Sequence, residues 1–203
     1  RSGSYAGVIQ CIDTTMKTSD SAKRIVWERE NSTAGYYWSG AAKINGALII
    51  AGDDGELISL NPNDGTLLDS KNLGEGVKVR STIVSYKDAA VFTTTDGNLY
   101  HVAVNEKGTL GEPRSVTFCG SSKSSPAIYD NQAYVVGEQG SAGGFRIIKL
   151  TTMQIVETTN MTSSSLSSPL LSTAFGDEPV AYFSLYNIPG GIFTAAQGQG
   201  LKT

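Results

Sequence analysis

The chain has 203 residues, 39% of them hydrophobic, enough to build the core of one large domain or two small ones. Its net charge of −3 and pI near 5.2 exclude the concentrated basic surface that phosphate binding needs, so no nucleic-acid partner is expected. No run approaches the roughly 18 apolar residues of a membrane span. The 23 glycines and 6 prolines, set among recurring Val, Ile, Leu, Tyr and Phe, exclude a disordered profile.

In chain order, "RSGSYAG" has no initiator Met, no basic n-region and no apolar h-region. The sequence is therefore expected to be a mature or trimmed piece of something longer. "GVIQCIDTT" (7–15) and "KRIVWERE" (23–30) read as two strands. Glu28 and Glu30 alternate with Arg24 and Arg29 there, as on a solvated strand edge. From residue 38 onward short alternating or apolar runs dominate, and no stretch of about twelve residues carries a helical apolar face.

These runs repeat. A first marker is the serine opening a strand: Ser39, Ser81, Ser125 and Ser168, at steps of 42, 44 and 43 residues. A second is a glycine opening a later strand: Gly7, Gly55, Gly97, Gly144 and Gly191, at steps of 48, 42, 47 and 47. A period in the forties with about four strands per unit signals a β-propeller.

Each unit resolves into strands A to D. Strand A is "SGAAKI", "STIVSY", "SPAIYD" or "SPLLST"; strand B is "ALIIAG", "AAVFTT", "QAYVVG" or "VAYFSLY". Strand C is "GELISLNP", "GNLYHVAV", "GGFRIIKL" or "GGIFTAA"; strand D is "TLLDSKNL", "PRSVTF" or "IVETTN". Asn45-Gly46, Asp88-Ala89 and Asn131-Gln132 are expected to turn A into B, because Asn and Asp tolerate turn geometry. Asp54-Gly55 and Asp96-Gly97 are expected to turn B into C, where glycine permits positive φ.

The predicted class is thus all-β: a β-propeller of four-stranded antiparallel blades, about four of them present, forming part of a larger propeller. The 1–203 region divides into a partial blade at 1–31, whole blades at 38–73, 79–118 and 123–160, and a partial blade at 166–203 ending on a strand C with no strand D. The rest of the ring is expected from the remainder of a larger propeller or from a second copy of the chain.

"DDGELISLNPNDGTLL" resembles the repeat of pyrroloquinoline-quinone (PQQ) type, or quinoprotein-type, propellers. Asp54, Gly55, Leu57, Leu60, Asn61 and Gly65 carry the likeness. Asp96, Gly97, Leu99, Tyr100, Val104 and Gly108 repeat it, and Gly7, Ile12, Asp13 and Trp27 match in the N-terminal part-blade. "GGFRIIKLTTMQIV" departs by losing the closing glycine. The serine-rich strand starts and "YFSLYNIPGGI" also look like Gram-positive bacterial cell-surface proteins. The resemblance implies an extracellular, cell-surface location.

Quinone chemistry in this family uses adjacent cysteines, a stacked Trp and acidic plus Asn calcium ligands. Here Cys11 and Cys119 are far apart, and read as two buried thiols or a long-range disulfide. "DDGE" at 53–56 reads as a β-turn rather than a cation loop. "GSAGG" at 140–144 reads as a stretched B–C loop, with no Lys-Ser/Thr and no helix to make it a phosphate loop. The single histidine, His101, falls inside a strand as a wall residue, so no catalytic triad and no metal cluster is expected. No cofactor and no enzyme activity are expected.

Propellers bind where the loops leading into strand A converge. Those loops hold Tyr36, Tyr37 and Trp38, then Lys78 and Arg80, then Lys123, then Ser164 to Ser167. Tyr36, Tyr37, Trp38, Arg80 and Lys123 are the expected ligand-binding set, for a sugar, a peptide or a small anion, the alternative being that Trp38 and one of the tyrosines pack between blades. The function expected is a non-catalytic scaffold or binding module for a protein, small-molecule or glycan ligand. The alternative is a fragment of a quinoprotein-like dehydrogenase whose active-site residues lie outside this chain.

Overall fold

The computed structural model describes residues 7–174 and 176–186, together with the backbone of 192–196 and 200–202. Gly191, one of the period markers, lies outside the described residues.

The first sheet has two strands, β1 (Gly7–Ile12) and β2 (Ile25–Asn31), joined through a short 3-10 turn at Ser21–Arg24 that Asp20 caps by accepting from the Ala22 N–H. Four four-stranded antiparallel meanders follow. The second sheet holds β3 (Ala42–Ile44), β4 (Ala47–Ala51), β5 (Glu56–Leu60) and β6 (Leu67–Asn72). The third holds β7 (Val84–Tyr86), β8 (Ala89–Thr93), β9 (Asn98–Ala103) and β10 (Arg114–Thr117). The fourth holds β11 (Ala127–Tyr129), β12 (Gln132–Gln139), β13 (Ala142–Lys149) and β14 (Gln154–Met161). The fifth holds β15 (Leu170–Ser172), β16 (Val180–Ser184), β17 (Ile192–Ala196) and β18 (Gly200–Lys202). The last strand corrects the sequence reading, which ended that unit on strand C. Its "GQGLK" carries almost no β-branched signal, and pairing with β17 supplies what propensity does not.

Alternation along each strand sends neighbouring side chains into two different cores. In β8, Ala90 and Phe92 join Ile49, Ala51 and Leu57 of the second sheet, whereas Val91 joins Val135 and Ile148 of the fourth. In β12, Ala133 and Val135 face the third sheet, and Tyr134 and Val136 face Ala181 and Phe183 of the fifth. In the second sheet, Ile50, Ile58 and Leu60 face the first sheet, against Ile9, Trp27 and Tyr36. Every residue of β8 is buried. The interfaces are tight: Phe145 stacks on Phe183 at 5.4 Å between ring centroids.

A hydroxyl seam ties successive sheets. The Thr82 N–H donates to Ser125 Oγ at 2.8 Å, and the Ser125 N–H donates to Ser168 Oγ at 2.9 Å, each 43 residues away. The serine marker is therefore real, but Thr82 occupies the place assigned to Ser81. Ser81 instead closes its own sheet, its Oγ donating to the Thr93 carbonyl and accepting from the Thr93 N–H.

Asn45-Gly46 stands as expected, and the other two A–B turns shift by one. Strands A and B meet through Asn45-Gly46, Lys87-Asp88 and Asp130-Asn131, as the pairs Ile44↔Ala47, Tyr86↔Ala89 and Tyr129↔Gln132 fix. Two-residue hairpins need positive φ, and Asn45, Gly46, Lys87, Asp130 and Asn131 all adopt it. "GSAGG" is no long loop: β12 and β13 continue to a Gly140–Ser141 turn, with Gly143 and Gly144 inside β13. A Cβ at Gly143 would meet the Ser163 carbonyl at 2.5 Å, so glycine there admits the adjoining loop. Cys11, in β1, and Cys119, in the bend after β10, are free thiols, so the long-range disulfide does not form. Burial pushes the Cys119 thiol up to about 11.

Gly97 sits at φ 80, and a Cβ there would run into the Cys119 carbonyl, while Gly76 at φ 75 faces open space. Gly76→Ala is expected to lose about 1 kcal/mol for the left-handed backbone alone. Gly97→Ala adds a backbone clash and is expected to lose more than about 2 kcal/mol. Urea midpoints compare the two, and equal losses would refute the clash. Ser59 Oγ is buried without a hydrogen-bond partner at the interface of the second and third sheets. Ser59→Ala is expected to gain about 1 kcal/mol in the same assay, whereas a loss would reveal a partner for the hydroxyl.

Candidate functional site

The loops leading into the strand-A positions are held by backbone bonds to the ends of strand B. The Asp53 N–H donates to Gly35 O at 3.0 Å, Thr95 N–H to Lys78 O at 2.9 Å, Glu138 N–H to Ser121 O at 2.8 Å, and Tyr186 N–H to Ser164 O at 2.7 Å. Fixed this way, Tyr37, Arg80, Lys123 and Leu166 occupy the same place in successive units, at the 43-residue step of the hydroxyl seam.

Four of the five expected residues come together. Arg80 Nε and Nη2 donate to the two carboxylate oxygens of Asp53 at 3.0 and 2.6 Å, a forked pair that fixes the guanidinium plane. This pairing raises the Arg80 pKa above its ordinary value. The guanidinium lies 5.4 Å from the Tyr37 ring centroid and 5.9 Å from that of Trp38. Lys123 Nζ, from the next unit, lies 6.0 Å from the same Trp38 ring. Both cations thus address one indole.

Trp38 is 72% exposed and holds φ 57, the left-handed region that a bulky side chain rarely adopts. Tyr37 beside it is also exposed. The site is an open aromatic surface with two cations near it, Arg80 locked by Asp53 and Lys123 without an ion pair among the described residues.

Tyr36 leaves the set. Its ring lies in the core between the first and second sheets with Ile9, Trp27 and Ile58. Glycines 7 and 52 make room, since a Cβ at either would lie 2.8 to 3.0 Å from the ring. Its hydroxyl accepts from Asn31 Nδ2 at 3.4 Å, and burial raises its pKa. The sequence "YYW" cannot say which aromatic turns inward, because the backbone there follows neither a strand nor a helix period. Ser165 and Ser167 also turn inward, their hydroxyls donating to the Ser184 carbonyl. Asp53 was read only as part of a turn, and its role as the Arg80 partner needs a contact across two units. Asp54 does make that turn, its Oδ1 accepting from the Glu56 N–H.

The described residues do not fit a quinone with its calcium ion. The two cysteines stand apart, one in β1 and one in the bend after β10, and no three His, Cys, Asp or Glu side chains converge among the described residues. Trp27, the repeat's own tryptophan, is sealed against Gly65 and donates from Nε1 to the Pro62 carbonyl at 2.9 Å. No helix among the described residues is long and apolar enough to cross a membrane.

No family model and no curated protein matches this sequence. Solved structures do. The quinohemoprotein alcohol dehydrogenase from Comamonas testosteroni is similar at a TM-score of 0.71 and 13% identity, covering 96% of this chain and 40% of its own. A europium-containing methanol dehydrogenase is similar at a TM-score of 0.68 and 13% identity, covering 92% and 45%. BamB from Moraxella catarrhalis is similar at a TM-score of 0.55 and 13% identity, covering 94% and 65%. The chain spans between 40% and 65% of these three structures. With its four-stranded antiparallel sheets packed face to face at a 43-residue step, the chain has the fold of the PQQ-like β-propellers.

Proposed function

We propose that this chain is a non-catalytic, extracytoplasmic β-propeller module, part of a larger propeller, that binds a protein or glycan partner through Tyr37, Trp38, Arg80 and Lys123. The observation that carries the reading is Trp38: an indole 72% exposed, at φ 57, with two cations from successive units within 6.0 Å of its ring centroid. A left-handed backbone costs a bulky residue about 1–2 kcal/mol, and such strain concentrates at binding sites. An exposed, preoriented indole offers large contact area at little entropic cost, and Lys123 adds attraction for an acidic group. The remainder of the larger propeller, or a second copy, is the natural neighbour of the outer face of the first sheet, where Val8, Ile12 and Val26 are exposed.

The dehydrogenase reading keeps one supporting observation, the higher TM-scores of the two dehydrogenase structures. Under that reading the reacting groups belong to parts of the protein outside residues 1–203. Quinone absorbance in protein expressed from the complete reading frame with calcium and PQQ would favour it.

Trp38→Gly separates binding from folding. Glycine relieves the left-handed strain, so the variant is expected to match or exceed the parent in stability by up to about 1 kcal/mol. On peptide and glycan arrays it is expected to lose at least about tenfold in affinity for whatever the parent retains. Lys123→Gln is expected to weaken acidic ligands selectively. A Trp38→Gly variant destabilised by more than about 2 kcal/mol, or one with unchanged array binding, would sink the proposal.

A further inference from the structure

At the opposite end of the sheets from Trp38, the interfaces are not alike. The turn between strands C and D settles on the preceding sheet through a glycine. A Cβ at Gly65 would lie 2.5 Å from the Trp27 ring, and one at Gly108 would lie 2.6 Å from Leu68 and 3.1 Å from Ser59 Oγ. Both glycines have positive φ and leave no gap. The fourth sheet lacks that glycine. Met153 holds its place at φ 55, with its side chain drawn into the core beside Leu150 and Ile148.

A cleft of about 310 Å³ remains where the turn would have settled, between the third and fourth sheets. That volume stands at the lower end of small-ligand sites. Its walls are apolar: Tyr86, Ala89, Ala103 and Leu150. Its polar groups are two cations, Lys87 and Arg114, with His101, Asp88, Asn131 and Thr151. His101 pairs with Val91 as Ser59 pairs with Ile49, so an imidazole stands where the earlier interface has a small hydroxyl. Arg114 lies at the rim, with one guanidinium nitrogen donating to the Leu150 and Thr151 carbonyls at 2.8 and 2.9 Å, which orients the rest of the fork. Lys87, at φ 51, carries its ammonium 5.2 Å from the Tyr86 ring centroid. Asp88 is the one acid lining the cleft. A locally positive cleft on a chain of net charge −3 selects anions. Burial and the nearby Arg114 keep His101 below the usual imidazole range, so at neutral pH it offers one donor and one acceptor beside the two permanent cations.

We propose that the cleft between the third and fourth sheets binds a small carboxylate with a flat apolar body, a single-ring organic acid, its carboxylate on Arg114 and Lys87 and its ring on Tyr86, Ala103 and Leu150. This site is separate from the aromatic surface at Trp38.

Benzoate, benzamide and benzylamine are the probes, titrated into the 203-residue chain by calorimetry and by NMR of the His101 ring. Benzoate is expected to bind saturably and shift the His101 signals, with benzamide at least about tenfold weaker and benzylamine silent. Ala103→Leu fills the cleft without touching its charges and is expected to abolish binding. Arg114→Gln is expected to weaken benzoate about tenfold and leave benzamide unchanged. Should Arg114→Gln fail to fold, Lys87→Gln and Ala103→Leu carry the test. Equal affinity for benzoate and benzamide, benzoate binding that survives Ala103→Leu, or no saturable benzoate binding each overturns the proposal. Trp38→Gly is expected to leave benzoate binding intact.

Discussion

Burial of both faces of strand B is the constraint on which the rest of this structure depends. Five residues of β8, Ala89 to Thr93, are all inaccessible, and β4 is nearly so. A strand this short, apolar on both faces, has no stable existence in a lone sheet. It needs a neighbour on each side, and each neighbour needs another. The repeat near 43 residues is the sequence form of that requirement, because a sheet can shield its neighbour only if its own apolar residues recur at the same places. The hydroxyl seam of Thr82, Ser125 and Ser168 follows: once the sheets stack, one N–H and one hydroxyl meet at each of the last two steps.

Stacking also explains where the chain accepts backbone strain. Positive φ falls at turns whose ends are pinned by strand pairing, and mostly on Gly, Asn or Asp. Lys87, Met153 and Trp38 are the bulkier exceptions. None of the three is a residue that left-handed geometry would choose. Lys87 borders the cleft of the third interface, Met153 belongs to the turn that follows its wall residues Leu150 and Thr151, and Trp38 forms the exposed aromatic surface. The departures from turn chemistry therefore coincide with the two places where the surface is not closed by the regular repeat.

This coincidence bears on what the sequence could reveal. Strand identity, the period and the propeller class were legible because they rest on alternation and on glycine, both local signals. The like placement of Arg80 and Lys123 in successive units was legible because equal spacing in a repeat means equal placement. Turn positions slipped by one at Asp88-Ala89 and Asn131-Gln132, since a two-residue hairpin is fixed by the register of the pairs that flank it, Tyr86↔Ala89 and Tyr129↔Gln132, and turn-residue types alone do not set that register. Tyr36 was misplaced for a similar reason. Whether it or its neighbour turns inward depends on the room left by Gly7 in β1 and Gly52 just past β4. Asp53 was missed because its partner, Arg80, is 27 residues away.

The lost glycine of the fourth sheet shows the same logic from the other side. As a sequence feature it was a blemish in the PQQ-like pattern, and it weakened the resemblance. Physically it is a substitution of one way of closing an interface by another. A glycine lets the turn lie against the sheet below it, whereas Met153 reaches sideways into the core and leaves the turn standing off. His101, where the preceding unit has Ser59, then lines space instead of filling it. In a repeat architecture each unit inherits its stability from its neighbours, so one interface can open at its end while the core above it stays packed. Val91, Leu99, Val135 and Ile148 remain buried directly beside the cleft. A family pattern is therefore most informative about function where it fails, because the regular positions are already committed to holding the sheets together.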